Sequence, residues 1–305
     1  MHYRRLGKTE RKVSLIGVGT WQFGGEWGRP FSQPEVDAIL DTAASEGINL
    51  IDTAECYGDH LSEQLIGNYL SRRQRDNWLI ATKFGHHFTG NFDRQAEWQP
   101  ASVLRQLEAS LRALKTERID LYQFHSGSDE VFFNDELWQL LADQQRAGKI
   151  GHLGISIAKE GNAKQVAAAA GVGAEVIQLV YNRLDQRAEE QAFPLTSEYD
   201  LGVLARVPLA SGYLSGKYQP DAVFAADDVR SRHDAEETSQ LLRKVADIRQ
   251  QEVPEGIPLA RWALAWCLTN PSVAGVIPGC KNPQQVTENA RATELIDASG
   301  HWVKF

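Results

Sequence analysis

Four reactive side chains follow or flank short apolar runs in this sequence. Asp52 follows Ile48–Ile51, Lys83 follows Trp78–Thr82, and His125 follows Ile119–Phe124. Tyr57 stands five residues beyond the acid, in Asp52-Thr53-Ala54-Glu55-Cys56-Tyr57-Gly58. Each has an ordinary structural reading: an aspartate after a strand caps or turns, a lysine reaches solvent, a tyrosine or histidine packs. Gathered at one rim they form a chemical set. A phenol with an ordinary pKa of about 10 is a poor proton donor at neutral pH, and a nearby ammonium pulls that value down. A carboxylate beside the lysine keeps it placed and charged, and an imidazole can orient a carbonyl oxygen or share its proton. That is equipment for protonating a carbonyl oxygen while another species attacks its carbon. No serine or cysteine has an obvious base beside it; Cys56 adjoins Tyr57, but neighbours on a loop often point apart. The attacking species must therefore come from a cofactor, as a hydride.

The elements that would gather these groups are legible as a rhythm. Apolar runs recur at Ser14–Val18, Ile48–Ile51, Trp78–Thr82, Ile119–Phe124, Ile150–Ile155, Val176–Val180, Val203–Val207 and Ala274–Ile277. Short Val/Ile/Leu-rich runs are how strands buried on both faces read. Helical patterns lie between them: Pro34–Glu46 with Ser32 as its N-cap, Glu63–Arg72, Ala101–Leu114, Asp135–Ala147, Ala163–Ala170 and Pro258–Thr269. Strands alternating with helices imply an all-parallel sheet, and at this length a closed (β/α)8 TIM barrel, whose active site lies at the strand C-termini. A doubly wound sheet needs a Gly-x-Gly-x-x-Gly turn, which Gly17-Val18-Gly19-Thr20-Trp21-Gln22 begins but does not complete. The segment from Tyr3 to Thr9 reads as a strand and turn that pairs with residues 11–15 and plugs the barrel bottom. No linker divides the chain, so residues 1–305 are read as a single domain.

Composition narrows the partners. Of 305 residues, 42% are hydrophobic and 24% charged, as expected of a globular protein. A net charge of −8 disfavours a nucleic-acid surface, and no apolar run approaches the roughly 20 residues that cross a bilayer. Cys56, Cys267 and Cys280 make neither a disulfide framework nor a zinc motif, and the N-terminus lacks the apolar stretch of a signal peptide; a reducing cytoplasm is the expected setting. His86 and His87 are adjacent and have no evident third ligand, so no metal site is expected.

Two late loops suit a phosphate-bearing cofactor. Ile277-Pro278-Gly279-Cys280-Lys281-Asn282-Pro283 follows the eighth run and precedes a helix, whose N-terminus favours anions. Pro208-Leu209-Ala210-Ser211-Gly212-Tyr213-Leu214-Ser215-Gly216-Lys217 follows the seventh; its Gly-x-x-x-Gly-Lys is one residue short of a P-loop.

With these motifs in place, nearly the whole chain resembles the aldo-keto reductases, nicotinamide-dependent (β/α)8 enzymes, and is most similar in style to bacterial and plant branches with inositol-operon and general-stress reductases. The most specific match is Gly47-Ile48-Asn49-Leu50-Ile51-Asp52-Thr53-Ala54-Glu55-Cys56-Tyr57-Gly58; Ile80 to Lys83, Asp120 to His125, Gly151 to Ser156 and Gln178 to Asn182 extend it. The resemblance implies a catalytic tetrad of Asp52, Tyr57, Lys83 and His125, with Tyr57 as the proton donor. It implies NADPH as cofactor, with Gly19, Thr20, Trp21, Asp52, Ser156, Gln178 and Arg206 near the nicotinamide. Pro208, Leu209, Ser211, Gly212, Leu214 and Lys217 match the pyrophosphate strap. Gly279, Cys280, Lys281, Asn282 and Gln285 match the 2′-phosphate region, and Glu288 and Asn289 the adenine site.

Three positions depart from the family pattern. Arg206 replaces an aromatic residue that stacks on the nicotinamide, Ile157 replaces an asparagine, and Lys281 with Gln285 must serve where an arginine often reads the 2′-phosphate. The expected substrate is a small-molecule aldehyde or ketone. Aromatic residues in the long loops (Phe84, Phe88, Trp27, Phe132, Phe133, Trp302, Phe305) favour an apolar or ring-bearing one. The contrasting expectation is a nucleotide-binding regulator with little turnover, like the channel beta subunits of this family.

Overall fold

The computed structural model describes residues 1–297 and 299–303; Phe305, among the aromatic residues above, lies outside them. The chain opens with a hairpin, β1 (Tyr3–Arg5) paired antiparallel to β2 (Lys12–Ser14). The barrel strands β3 (Val18–Gly19), β4 (Leu50–Asp52) and β5 (Leu79–Phe84) follow. A side hairpin, β6 (His86–Gly90) and β7 (Asp93–Ala96), then interrupts the series. The barrel resumes with β8 (Ile119–His125), β9 (Ile150–Ser156), β10 (Ala174–Val180), β11 (Gly202–Arg206) and β12 (Gly275–Val276). The eight barrel strands are parallel and lie in chain order, β3-β4-β5-β8-β9-β10-β11-β12. The ring shuts between first and last: Gly17 N donates to Val276 O (2.8 Å) and Gly19 N to Pro278 O (3.0 Å). A Cβ on Gly19 would sit 2.6 Å from Ile277 O, so only glycine lets this seam close.

Helices α1 (Gln33–Ser45), α2 (Leu61–Leu70), α3 (Pro100–Leu114), α4 (Asp129–Phe132), α5 (Asp135–Arg146), α6 (Ala163–Ala168), α7 (Ala188–Gln191), α8 (Phe193–Glu198), α9 (Ala235–Gln251), α10 (Leu259–Thr269) and α11 (Pro283–Ala290) complete the chain. The outward faces of the strands (Ile80, Tyr122, Phe124, Ile155, Ile177, Val203) join helix residues in one large core. On α3 the buried stripe is Val103, Leu107, Leu111 and Leu114, while Leu104 is only partly covered. The long α9 lies partly in a segment that reads as polar. Its Leu242, Val245 and Ile248 pack on Tyr213, Leu214 and Trp262, and Asp234 caps it by accepting from Glu237 N (2.8 Å).

Inside the barrel a second, smaller cluster holds Leu50, Leu79, Leu121, Val176 and Leu204, with Leu6 and Val13 of the hairpin region inserted from below. The hairpin thus forms the bottom plug read from the sequence. Side chains alternate across a strand, so residues two further along point into the same interior. From Leu50, Leu121, Val176 and Leu204 this step reaches Asp52, Gln123, Gln178 and Arg206. From Leu79, two steps reach Lys83; from Leu121, two steps reach His125. The interior is therefore apolar below and polar above, and the strand order brings the reactive side chains to one mouth.

Leu6→Ala should cost about 2–5 kcal/mol in urea unfolding, because it empties a position enclosed by five strands. A loss below about 1 kcal/mol would mean that the hairpin is not part of the interior packing.

Candidate active site

Lys83 is wholly buried, and its ammonium uses all three protons. Nζ donates to Asp52 Oδ2 (2.8 Å), Thr53 O (2.7 Å) and Tyr57 Oη (3.4 Å). The other Asp52 oxygen accepts from Gln178 Nε2 (2.6 Å) and Gln123 Nε2 (3.3 Å). Ser156 Oγ donates to Gln178 Oε1 (3.2 Å), extending the network to β9. The Tyr57 ring lies nearly parallel to Trp21 (centroids 6.0 Å apart, 22°). Gln123 is not among the expected site residues, yet it stands two residues before His125 and two after Leu121. Strand alternation alone assigns it to the interior.

Burial pushes the Tyr57 phenol above its ordinary pKa, against the pull of Lys83. The net direction is opposite to that expected from the lysine alone, because desolvation of a phenolate in this enclosed site outweighs one neighbouring cation. Burial also works against the Lys83 charge, but Asp52 and Tyr57 outweigh it and hold its pKa up. His125 is driven well below the usual histidine range by burial, then by Lys83, His86, Arg206 and Arg94, and so is neutral at pH 7. Its Nδ1 lies 3.9 Å from Cys56 Sγ, while its carbonyl oxygen meets His86 Nε2 at 2.6 Å. Burial raises the Cys56 thiol to about 11, which removes it as a nucleophile at neutral pH. No cluster of three or more metal-ligating side chains occurs among the described residues.

The side hairpin forms one wall above the mouth. Glu26, buried after β3, accepts from Trp21 Nε1 (2.6 Å), Phe92 N (2.6 Å) and Arg94 Nη2 (2.5 Å). One carboxylate thereby ties the segment carrying Trp21 to β6 and β7. Of the loop aromatics, Phe84 and Phe132 are core residues and Trp302 stacks on Trp262, so these three pack the structure. Trp98 lies against His86 (5.4 Å), which itself touches His125 (5.1 Å).

The last of the two late loops lies beside the barrel seam. Gln22 Nε2 donates to Gly19 O (2.9 Å) and Cys280 O (2.7 Å), joining the first strand to the last loop. Thr20 Oγ1 bonds Asp52 O (2.9 Å). After β11, Pro208 and Leu214 are buried, and Ser211 and Gly212 take positive φ (57° and 90°), making the sharp turn before Lys217. After β12, Cys280 is buried, Asn282 caps α11 by accepting from Gln285 N (2.9 Å), and Gln285 Oε1 accepts from Lys281 N (2.7 Å). Asn289 is buried, and Glu288 pairs with Arg261 (2.8 Å) and Arg291 (3.2 Å).

A cationic patch surrounds Lys281. Its Nζ donates to Trp27 O (2.8 Å), and burial, then Arg230, Arg29 and Lys217, lower its pKa against Asp228. Arg29 Nη2 also reaches Lys281 O (3.3 Å). Arg29 and Arg230 come from loops after β3 and β11, so spacing around the last loop could not reveal them. Arg230 is paired with Asp228 (2.6 Å) and Arg29 with Glu35 (2.7 Å), so Lys281 and Lys217 are the cations of this patch without a carboxylate partner among the described residues, and they suit an anionic phosphate. The buried, unpartnered Nε of Arg206 at the mouth is a further polar atom that fits a bound group. The residues present therefore fit a phosphate-bearing nicotinamide cofactor.

The family model "Aldo/keto reductase family" matches residues 15–299. The chain is 30% identical over 309 residues to "Uncharacterized oxidoreductase YrpG" of Bacillus subtilis, covering 97% of this chain and 92% of that protein. It is 28% identical over 313 residues to "Probable voltage-gated potassium channel subunit beta" of Arabidopsis thaliana, covering 97% and 92%. Among solved structures it resembles aldo-keto reductase AKR11C1 from Bacillus halodurans in its holo form (TM-score 0.80, 30% identity, 96% of this chain and 91% of that one). It also resembles glycerol dehydrogenase AKR11B4 from Gluconobacter oxydans (TM-score 0.80, 28% identity, 96% and 90%). The chain belongs to the aldo-keto reductase family and is an oxidoreductase with the (β/α)8 fold. Among the described residues no helix is long and apolar enough to cross a membrane.

A neighbouring group gives a pH test. Glu55 accepts from Gly85 N (3.1 Å) and His86 N (3.0 Å); burial, then Glu63, raises its pKa well above the carboxylate range. A carboxyl that holds its proton more tightly when folded contributes stability below its unfolded pKa of about 4.3 and loses it as pH rises through the folded value. Glu55→Gln should match the wild type near pH 4 and exceed it by more than about 1 kcal/mol at pH 8 in urea unfolding. A difference that does not depend on pH would show that Glu55 is ionised in the folded protein.

Proposed function

We propose that the protein reduces an aldehyde or ketone to an alcohol with NADPH, using Tyr57 as the proton donor. The observation that carries this reading is the buried Lys83 ammonium held 2.8 Å from Asp52 and 3.4 Å from the Tyr57 hydroxyl. When bound, the nicotinamide supplies a hydride from its C4 to the carbonyl carbon. Tyr57 gives its hydroxyl proton to the carbonyl oxygen, so the C=O becomes CH–OH and a phenolate remains. Lys83 stabilises that phenolate by charge, and Asp52 keeps the ammonium in place. Gln178 and Gln123 fix the Asp52 carboxylate. Neutral His125 turns Nδ1 toward Cys56, leaving Nε2 to donate a hydrogen bond to the substrate oxygen. The raised phenol pKa keeps Tyr57 protonated at neutral pH, as a donor must be.

Ser156, Gln178, Gly19, Thr20 and Trp21 would border the nicotinamide. The turn from Pro208 to Lys217 would cover the pyrophosphate, and Lys281 with Arg29 would meet the 2′-phosphate, which favours NADPH over NADH. Glu288 and Asn289 would lie at the adenine, with Glu288 reaching it only beside its two arginine partners. Three free, buried cysteines accord with a reducing cytoplasmic setting. A regulatory role without turnover is less well supported, because Lys83 is hydrogen-bonded to both Asp52 and Tyr57, an arrangement that binding alone would not need; oxidation of NADPH in the presence of 4-nitrobenzaldehyde separates the two readings.

Tyr57→Phe should lower kcat by about 10²–10⁴ while the Kd for NADPH stays within about twofold, since only the proton donor is lost. Near-normal turnover would show that another group is the acid. Lys281→Ala and Arg29→Ala should each weaken NADPH about tenfold and NADH far less, measured by fluorescence titration. Equal losses for both dinucleotides would remove these residues from the phosphate site.

A further inference from the structure

Arg206 is a charged group at the mouth that, among the described residues, has no ion-pair partner. It lies two residues beyond inward-facing Leu204 and in register with Val180 of β10. Its Nη2 donates to Ile157 O at 3.1 Å, so the guanidinium reaches from the end of β11 across β10 to the segment after β9. Ser156 ends β9, and Gln178 stands two residues before the end of β10. Nε is buried without a hydrogen-bond partner, and among the described residues no carboxylate bonds the side chain. Asp52, the nearest acid of the tetrad, is already held by Lys83 and two amides. Burial lowers the Arg206 pKa, yet an arginine begins so high that it keeps its charge at neutral pH.

We propose that Arg206 biases the bound dinucleotide toward its reduced form, because a neutral dihydronicotinamide is compatible with the adjacent guanidinium and a cationic pyridinium is repelled. This rests on the reading that the mouth binds NADPH. Two effects act in the same sense. Like charges repel more strongly in a partly desolvated site than in water. A guanidinium also stacks more favourably on an electron-rich ring than on a cationic one. An aromatic residue at this place would contribute stacking without the charge. The consequence is that the oxidised cofactor leaves readily after reduction and inhibits weakly.

The test is equilibrium binding of NADPH and NADP+ to the intact chain, by fluorescence and calorimetry, for the wild type, Arg206→Lys and Arg206→Met. The wild type should bind NADPH at least about tenfold more tightly than NADP+, equivalent to about 30 mV for a two-electron couple. Arg206→Lys should keep that preference, and Arg206→Met should reduce it to within about threefold of equality. Arg206→Gln serves in place of Arg206→Met if the latter does not fold. The inference is overturned if the wild type binds both forms equally, or if removing the charge changes both dissociation constants by one factor. Failure of the wild type to bind either dinucleotide would instead overturn the NADPH reading along with it.

Discussion

A lysine ammonium buried inside a barrel is expensive, and the Lys83–Asp52 pair is tolerable only because every polar atom of it is engaged. Taking both charges out of water costs several kcal/mol per ion, and Coulomb attraction offsets this only with good geometry and full hydrogen bonding. Here the ammonium has three acceptors and the carboxylate receives two amide donors in addition to Lys83. The two amides come from β8 and β10, the carboxylate from β4 and the ammonium from β5. Four strands must therefore hold register before the pair is satisfied. A pair of this kind is poor evidence for stability and good evidence for a constraint. It fixes the position of the phenol that the third ammonium proton meets.

The same network explains the protonation states at the mouth. Burial keeps the phenol and the Cys56 thiol protonated against the pull of the nearby cations, whereas burial and those cations act together to make the imidazole neutral. Tyr57 and Cys56 are thus held in their protonated forms, so neither supplies a phenolate or thiolate nucleophile at neutral pH, which fits an oxidoreductase whose attacking species is supplied from outside the polypeptide.

The strands and the grouping of Asp52, Lys83 and Tyr57 were legible because both obey local rules: apolar runs mark buried strands, and reactive groups follow their C-terminal ends. The plug hairpin was legible from its turn. Other features escaped for identifiable reasons. Gln123 sits between aromatic neighbours in an apolar run, where its amide draws less notice than the histidine two residues later. The β6–β7 hairpin has a half-buried, half-exposed alternation made largely of polar residues, so it lacks an apolar signature. The first half of α9 is charged, and its packing stripe emerges only at Leu242. Glu26, Arg29 and Arg230 act across loops that are distant in sequence, and no spacing rule connects them. Lys83 does pull the Tyr57 pKa down, as its place in the sequence implies, but the depth of burial that outweighs it is not visible in sequence.

The seam between β3 and the segment after β12 is bridged by the Gln22 amide over a separation of 258 residues. Ring closure over such a span carries a large chain-entropy cost, so this junction depends on nearly everything between its two ends being ordered. The loops proposed to grip the dinucleotide lie on either side of it. A ligand spanning that junction would act as a molecular clasp on the whole barrel, coupling nucleotide occupancy to resistance against unfolding. Nicotinamide supply could then influence how long the protein survives as well as how fast it turns over.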